Sequence, residues 1–375
     1  MVVASHVRLA AALAVLPAVL GAAAPTVVTE PAHAAFRWRD PRIAESSGLA
    51  AASRESGVWF THNDSGDVAR FFAVGPTGLT LATYRLGGAT AVDCEDMAVA
   101  PAADGTPTVW LADIGDNDQQ RSSITVHAAR EPLVDRAATG RELIVRATAY
   151  RLRYPDGPHD AETLLADPVR HRLYVVTKTF AGTSAAYVAP AQLSASGTAT
   201  LARVALLRWP LTGTRGGPVG PLGSLAATGG SVAPDGRALV IRTYTDAYFW
   251  AVGAGGIAAA LRRPPDARVA LPAQPQGEGI AFARDGRSVL VGSEGAGTTV
   301  YRLAVPALRA PVTAPPSRSA TPAPSAAPSP ASASGGRPPS RAPLWWAAGA
   351  AVTGALVVGG ARLAVRRARP GRRRP

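Results

Sequence analysis

The sequence predicts an all-β protein, a β-propeller of five blades, and three observations carry that prediction. Residues 36–305 consist of short runs rich in Val, Tyr, Phe, Trp and Thr, cut by Gly, Asp-Gly and Pro turns, with no convincing amphipathic helix. Within that stretch a strand–turn–strand pattern recurs five times. The copies begin at 47, 95, 162, 228 and 278, spacings of 48, 67, 66 and 50 residues. All-strand units of that length are too long for a solenoid coil and suit four-stranded blades.

Residues 1–34 read as a secretory signal peptide. Arg8 precedes an apolar run from Leu9 to Ala24, and Ala32-His33-Ala34 supplies a small-x-small cleavage site. A retained membrane helix is the rival reading. No Cys follows the run, which rules out a lipoprotein.

The propeller is expected over 35–305. Its clearest copy is Glu278-Gly279-Ile280-Ala281-Phe282, the turn Asp285-Gly286-Arg287, then Val289-Leu290-Val291. Thr228-Gly229 with Asp235-Gly236-Arg237 and Leu239-Val240-Ile241 repeats it without a gap. Glu162–Leu165 with Leu173–Val176, Glu95–Ala98 with Val109–Leu111, and Ser47–Ala50 with Val58–Phe60 complete the set. Phe71–Val74 and Thr80–Leu86 finish the first unit, and Thr298–Leu303 adds a third strand to the last. Ala35–Ile43 then supplies the missing edge strand, closing the ring and removing the exposed edges that invite aggregation. A sixth blade stays open, because the two long units leave room for one around Glu142–Tyr154.

Residues 306–343 are rich in Pro, Ala and Ser and read as a disordered stalk, able to reach about 120 Å in polyproline geometry. Leu344–Ala361 is eighteen residues without a charge, opened by Trp345-Trp346. At ~1.5 Å per residue it spans about 27 Å, the thickness of a bilayer core, so a transmembrane helix is expected. The Arg-rich tail 362–375 places that end in the cytoplasm and the propeller outside. The expected location is therefore the cell membrane, single-pass, with the main domain extracytoplasmic.

The charge of +13 belongs mostly to the C-terminal end: residues 306–375 carry eleven Arg and no acid, leaving +2 for 36–305. Nucleic acid is excluded as a partner on that ground. The single Cys excludes an intrachain disulfide, and no Cys/His cluster offers a structural zinc.

The pattern Glu-Gly-Ile-Ala followed by Asp-Gly-Arg resembles the inner hairpin of exported bacterial propellers, the broad class of NHL-repeat, phytase-like and gluconolactonase-like proteins. The resemblance covers 36–305 as architecture. Members of that class include calcium-binding hydrolases and pure binding scaffolds, so it implies fold and leaves activity open.

Aligning the repeats puts Ser47, Glu95, Glu162, Thr228 and Glu278 at one equivalent position at the start of the channel-lining strands. Glu45, two residues before Ser47, faces the same side. Converging carboxylates need a cation or an Arg, so Glu45, Glu95, Glu162 and Glu278 are candidate ligands for Ca²⁺, which takes hard oxygen donors. The bland alternative has each Glu capping backbone amides of the next blade. A second group comes from the loops after the second strands: His62, Asn63 and Asp64; Asp113, Asp116 and Asn117; Lys178; Arg242 and Asp246; and Glu294. Together they form a polar ligand-binding surface at one end of the channel. Lys178 is the one Lys of the chain, read either as a nucleophile or as the partner of Glu162 or Asp160. His62 and His159 are general-base candidates, although His beside Asp is commonly only hydrogen-bonded.

No Gly-x-Ser-x-Gly, His-Glu-x-x-His, phosphate-loop or dinucleotide motif is present. The expected function is a membrane-anchored binding module for a cell-surface protein, glycan or small molecule. The alternative is a calcium-dependent hydrolase of phosphoesters or lactones using the channel carboxylates.

Overall fold

The computed structural model describes residues 25–308. The first four-stranded unit is β3 (Ser46–Ala51), β4 (Trp59–Asn63), β5 (Arg70–Val74) and β6 (Thr80–Gly87). The second is β7 (Cys94–Pro101), β8 (Pro107–Asp113), β9 (Ile124–Arg130) and β10 (Glu142–Arg153). The third is β11 (Ala161–Ala166), β12 (Leu173–Thr177), β13 (Thr183–Val188) and β15 (Ala202–Arg208), with β14 (Thr198–Thr200) beside β10. The fourth is β16 (Ala227–Val232), β17 (Ala238–Thr243), β18 (Asp246–Ala251) and β19 (Ala267–Ala270), with a short helix α1 (Gly256–Leu261) between the last two. The fifth is β20 (Gly277–Phe282), β21 (Ser288–Ser293) and β22 (Thr299–Ala304), completed by β2 (His33–Arg37) from the N-terminal side.

Each inner strand, β3, β7, β11, β16 and β20, packs against the next, and β20 returns to β3. The result is a closed ring of five antiparallel units, a β-propeller. The place considered for a sixth blade is occupied by β10, whose first residues pair parallel with β6 while the rest pairs antiparallel with β9. The closing strand lies slightly earlier than the sequence pattern suggested. His33–Arg37 pairs with β22, and the segment after Trp38 turns into the mouth. β1 (Thr26–Val28) adds a parallel fifth strand to the fourth unit.

Between neighbouring units lie five apolar clusters, one per interface. Phe60, Phe71 and Met97 join the first two units; Trp110, Leu164 and Tyr187 the next pair. Leu165, Trp209 and Trp250 follow, then Phe249, Ile280 and Phe282, and last Phe36, Trp38, Leu49 and Phe72 at the closure. A strand with both faces buried in this way reads as a continuous apolar run, which is why the alternation of polar and apolar residues is weak here. Phe36 sits on the closing strand, 9% exposed. Phe36→Ala is expected to cost about 3 kcal/mol, read as a lower urea midpoint with an unchanged slope. An unchanged midpoint would mean that β2 does not close the ring.

Every inner strand carries an irregularity near its start, at Ser46/Leu49, Cys94/Asp96, Ala161/Thr163, Ala227/Gly229 and Gly277/Ile280. The five positions aligned from the sequence fall inside those five bulges. A bulge adds an unpaired residue and re-aims its side chain, so the repeat is of geometry as much as of residues. The inner strands approach so closely that a Cβ on Gly279 would lie 2.8 Å from the Ser47 carbonyl oxygen. Only glycine fits there.

Among the described residues no helix is long and apolar enough to cross a membrane. The expected helix Leu344–Ala361, the Arg tail, nearly all of the stalk and the apolar run of the leader lie outside them. Residues 26–28 and 33–34, which the sequence pattern assigned to the leader, form β1 and the start of β2.

Candidate functional site

The mouth of the channel is built where the inner strands begin and the second strands end. Its fixed base is Asp96, the residue after the bulged Glu95. Asp96 is fully buried and accepts backbone hydrogen bonds from Met97 (2.8 Å), Leu164 (2.8 Å) and Gly230 (3.2 Å), three successive blades. Burial holds its carboxyl well above the usual range even against those three donors.

Above that base the acids are unevenly spread. Among the described residues, Asp64, Asp93 and Glu95 offer three carboxylate oxygens within 4.8 Å of one another. Asp93 lies two residues before Glu95, and its backbone N–H donates to Asp113 Oδ1 (3.0 Å). Asp113 also pairs with Arg121 (2.9 Å), which donates to the Gly115 carbonyl (2.7 Å). This bracing holds Gly115 directly beneath the carboxylates. A Cβ there would lie 2.5 Å from Asp93 Oδ2 and collide with Glu95 Oε1. If a cation occupies this group, Gly115→Ala is expected to weaken its binding by about tenfold or more without unfolding the domain, as read by calorimetry and circular dichroism. An unchanged affinity would show that Asp93 and Glu95 do not bind together.

The charge of Glu278 bears on Asp64, and that of Asp64 on Glu294. Gln276 Nε2 donates to Glu278 Oε1 (3.1 Å), while Glu278 Oε2 and Glu294 Oε1 are buried without a partner among the described residues. Burial first, then Glu278, pushes Glu294 up to about 10. Burial, then Glu278 and Asp93, pushes Asp64 up to about 8. Burial raises Asp93 and Glu95 as well, with Asp160 the leading charge on Asp93 and Asp64 on Glu95.

Across the mouth the charges are paired. Lys178 forms an ion pair with Glu162 and lies 5.2 Å from the ring centroid of Tyr244. Glu162 therefore serves Lys178 through Oε1, its Oε2 being buried without a partner among the described residues, while Glu45 is exposed. Of the four glutamates expected to share an ion, the structure brings Glu95 into a converging group of carboxylates among the described residues. Asp64 and Asp93 take the remaining places. The sequence contained a signal for Asp93, because the two-residue offset that selects Glu45 also selects Asp93 and Asp160. The position of Asp64 depends on the loop that follows β4 and has no local signal.

Several loop residues expected to face a ligand are spent within the protein. His62 is fully buried; Nδ1–H donates to the Asn63 carbonyl (2.8 Å) and Nε2 accepts from the Gly48 N–H (3.1 Å). Burial pushes it down to about 4, so it stays neutral with both nitrogens engaged. Asn63 accepts from the Ala44 and Glu45 amides and donates to the Arg42 carbonyl and Asp67. Asp116 accepts from the Gln120 and Arg121 amides, and Asn117 is exposed. Asp246 is fully buried among the hydroxyls of Thr212, Thr214 and Thr245, with Arg268 at 3.7 Å. His159 lies near Asp156 (3.0 Å) and the Tyr187 hydroxyl (3.1 Å), outside the acidic group.

Arg242 is fully buried beneath Glu278 and takes no carboxylate partner. Its Nε–H donates to the Thr243 carbonyl, Nη1 to those of Gly279 and Gly292, and Nη2 to Tyr244 and Gln274 Oε1, at 3.0–3.3 Å. Burial pushes the guanidinium down to about 9, opposed by the nearby Glu278. It clamps the fourth blade to the fifth.

No family model matches the chain, and no curated protein matches it. Among solved structures, the WD40 repeats of RRP9 are 15% identical, with TM-score 0.32, covering 70% of this chain and 67% of that one. A gluconolactonase from Xanthomonas campestris is 13% identical, with TM-score 0.37, covering 77% of this chain and 99% of that one. At that distance neither resemblance carries any conclusion about what this chain binds or does.

Proposed function

We propose that this protein is an extracytoplasmic binding module whose channel mouth holds a divalent cation, with Ca²⁺ the natural occupant. The observation that carries this reading is the convergence of Asp64, Asp93 and Glu95 over Gly115. Three buried or half-buried carboxylates repel one another unless a cation joins them. An all-oxygen donor set without His or Cys suits Ca²⁺ over zinc or copper. Three side-chain donors would leave positions on such an ion open to water or to an outside ligand. Exposed Phe180, Leu211 and Leu222, on connections leaving the same end, offer that ligand apolar contact.

The test is a calorimetric Ca²⁺ titration of the full-length protein, followed by glycan, peptide and small-molecule binding with and without the ion. Absence of heat on adding Ca²⁺ overturns the proposal. The hydrolase reading has one specific support, an Asp64 titrating near 8 and so able to exchange a proton close to neutral pH. A panel of lactones and phosphoesters separates the two: turnover lost in Asp64→Asn but not in Lys178→Gln favours hydrolysis.

The address belongs to the same proposal. The leader ends ahead of Pro25, because cleavage after Ala34 removes β1 and the first residues of the closing strand. Cleavage beside Ala22-Ala23-Ala24 keeps both. The helix Leu344–Ala361 then anchors the chain with the propeller outside. N-terminal sequencing of the exported protein and protease accessibility on intact cells test these two points.

A further inference from the structure

We propose that the far end of the channel, away from the acidic group, binds a small amphipathic carboxylate of the medium-chain fatty acid kind. There the inner hairpins close around a cavity of about 310 Å³, a size found in small-molecule pockets. The repeat alignment accounts for its walls. Four residues after the aligned position of each inner strand stand Ala51, Val99, Ala166, Val232 and Phe282, and all five line the cavity. Two residues further on stand Ser53, Pro101, Pro168, Pro234 and Arg284, which line it too. The first ring is wholly apolar. In the second, the three prolines have no N–H to offer, and Ser53 is spent, its amide and hydroxyl both donating to Glu131. That leaves Arg284, the one charged side chain among the described residues that line the cavity.

Arg284 is not required by the turn that carries it. In the fourth blade, Pro234 occupies the same place in the same turn. Gly236 and Gly286 donate to the Ala233 and Ala283 carbonyls (2.8 and 2.9 Å), and Asp235 and Asp285 accept from the Arg237 and Arg287 amides (2.9 Å each). The Arg284 side chain is exposed; Nη1 donates to the Ser56 hydroxyl (3.0 Å), and no carboxylate pairs with it among the described residues. A guanidinium at the rim of an apolar cup selects an acid with an apolar body, because its planar fork matches a carboxylate. Ser231 Oγ accepts from the Phe282 amide (3.2 Å) and keeps its own proton to donate into the cavity. A bilayer phosphate would offer the same charge, but a concave cup walled by five blades fits one free chain better than a sheet of them. The site is distinct from the mouth. Along β7, Glu95 belongs to the acidic group, Asp96 ties three blades together, and Met97 already lines the cavity. The inference therefore stands apart from the cation reading.

Photolabelling of the full-length protein with a decanoic acid that carries an alkyl diazirine tests it, in chelator and in calcium alike. Label is expected on the inner-hairpin peptides that hold Val99, Val232 and Phe282. Decanoate should compete at concentrations about tenfold lower than decanol, and decyltrimethylammonium should not compete. Arg284→Pro, which the turn accommodates, is expected to lower labelling by about tenfold at subsaturating probe and to erase the preference for decanoate over decanol. Val232→Phe is expected to abolish labelling by filling the cavity; should it fail to fold by circular dichroism, the Arg284 variant carries the test alone. Label spread evenly over the surface, or unchanged in Arg284→Pro, overturns the proposal. Label on these peptides from a diazirine phosphatidylglycerol in vesicles, with none from the free acid, overturns it in favour of a bilayer contact.

Discussion

Arg242→Met is expected to destabilise the propeller by about 4 kcal/mol, the largest loss from any single side chain at the mouth. The methionine stem fills similar space, so the loss is not one of volume. It comes from the carbonyls of Thr243, Tyr244, Gly279 and Gly292, which accept from the guanidinium and are left buried without donors. Each such group costs about 1–3 kcal/mol, offset in part by no longer burying a charge. Arg242→Lys keeps the charge but offers three donors in a different geometry, and is expected to recover less than half of the loss. Urea unfolding of the full-length protein measures both. A cost under about 1 kcal/mol for the Met variant would mean that those carbonyls find water instead.

With calcium removed by chelator, stability is expected to fall as pH rises from 7 to 9. Asp64 titrates near 8 and Glu294 near 10 in the folded chain, both far above their usual range. The native state therefore binds more protons than the unfolded state across this window, and the slope of stability against pH is negative. The contribution is complete below the ordinary carboxylate range near 4. It is lost first through about 8 and then through about 10. Below about 7, His62, pushed down to about 4 by burial, and His127, lowered in the same way, act in the opposite sense, as do Asp40 and Asp156 at acid pH, so the window above 7 is the one that reports the raised carboxyls. Calcium at a hundred times its dissociation constant adds about 2.7 kcal/mol, and its affinity rises with pH as protons leave the ligands. The profile with calcium should be nearly flat. Melting temperatures in chelator and in calcium at pH 7 and 9 test this; identical curves would remove the acidic group as a cation site.

The same residues show what was legible before the fold was known. Glu95, Glu162 and Glu278 were found by repeat alignment, and all three lie in the bulges of inner strands. Alignment works there because each blade repeats the same local backbone problem. It failed to say which acids meet, since that depends on neighbours in the ring and on competing partners. Glu162 goes to Lys178, while Asp93 and Asp64 join Glu95. Loop composition misled at His62, Asn63, Asp116 and Asp246, where polar side chains satisfy buried amides and hydroxyls. Such groups are as polar in sequence as any ligand-binding residue, and only burial separates the two kinds.

The amino-acid order by itself determined the all-strand class, the five repeats with a sixth blade left open, and the position in each that falls in an inner-strand bulge. Those depend on short-range patterns: β-branched and aromatic runs, Asp-Gly turns, and a recurrent offset. Only the closed ring decided that Asp64 of the first blade meets Asp93 and Glu95 at the second, that the Arg242 guanidinium is buried between the fourth and fifth, and that Gly115 leaves the space in which two carboxylates converge. The longest of those contacts, from Arg242 to the Gly292 carbonyl, joins residues 50 positions apart. Electrostatics between them follows distance in space, which the order along the chain does not encode locally.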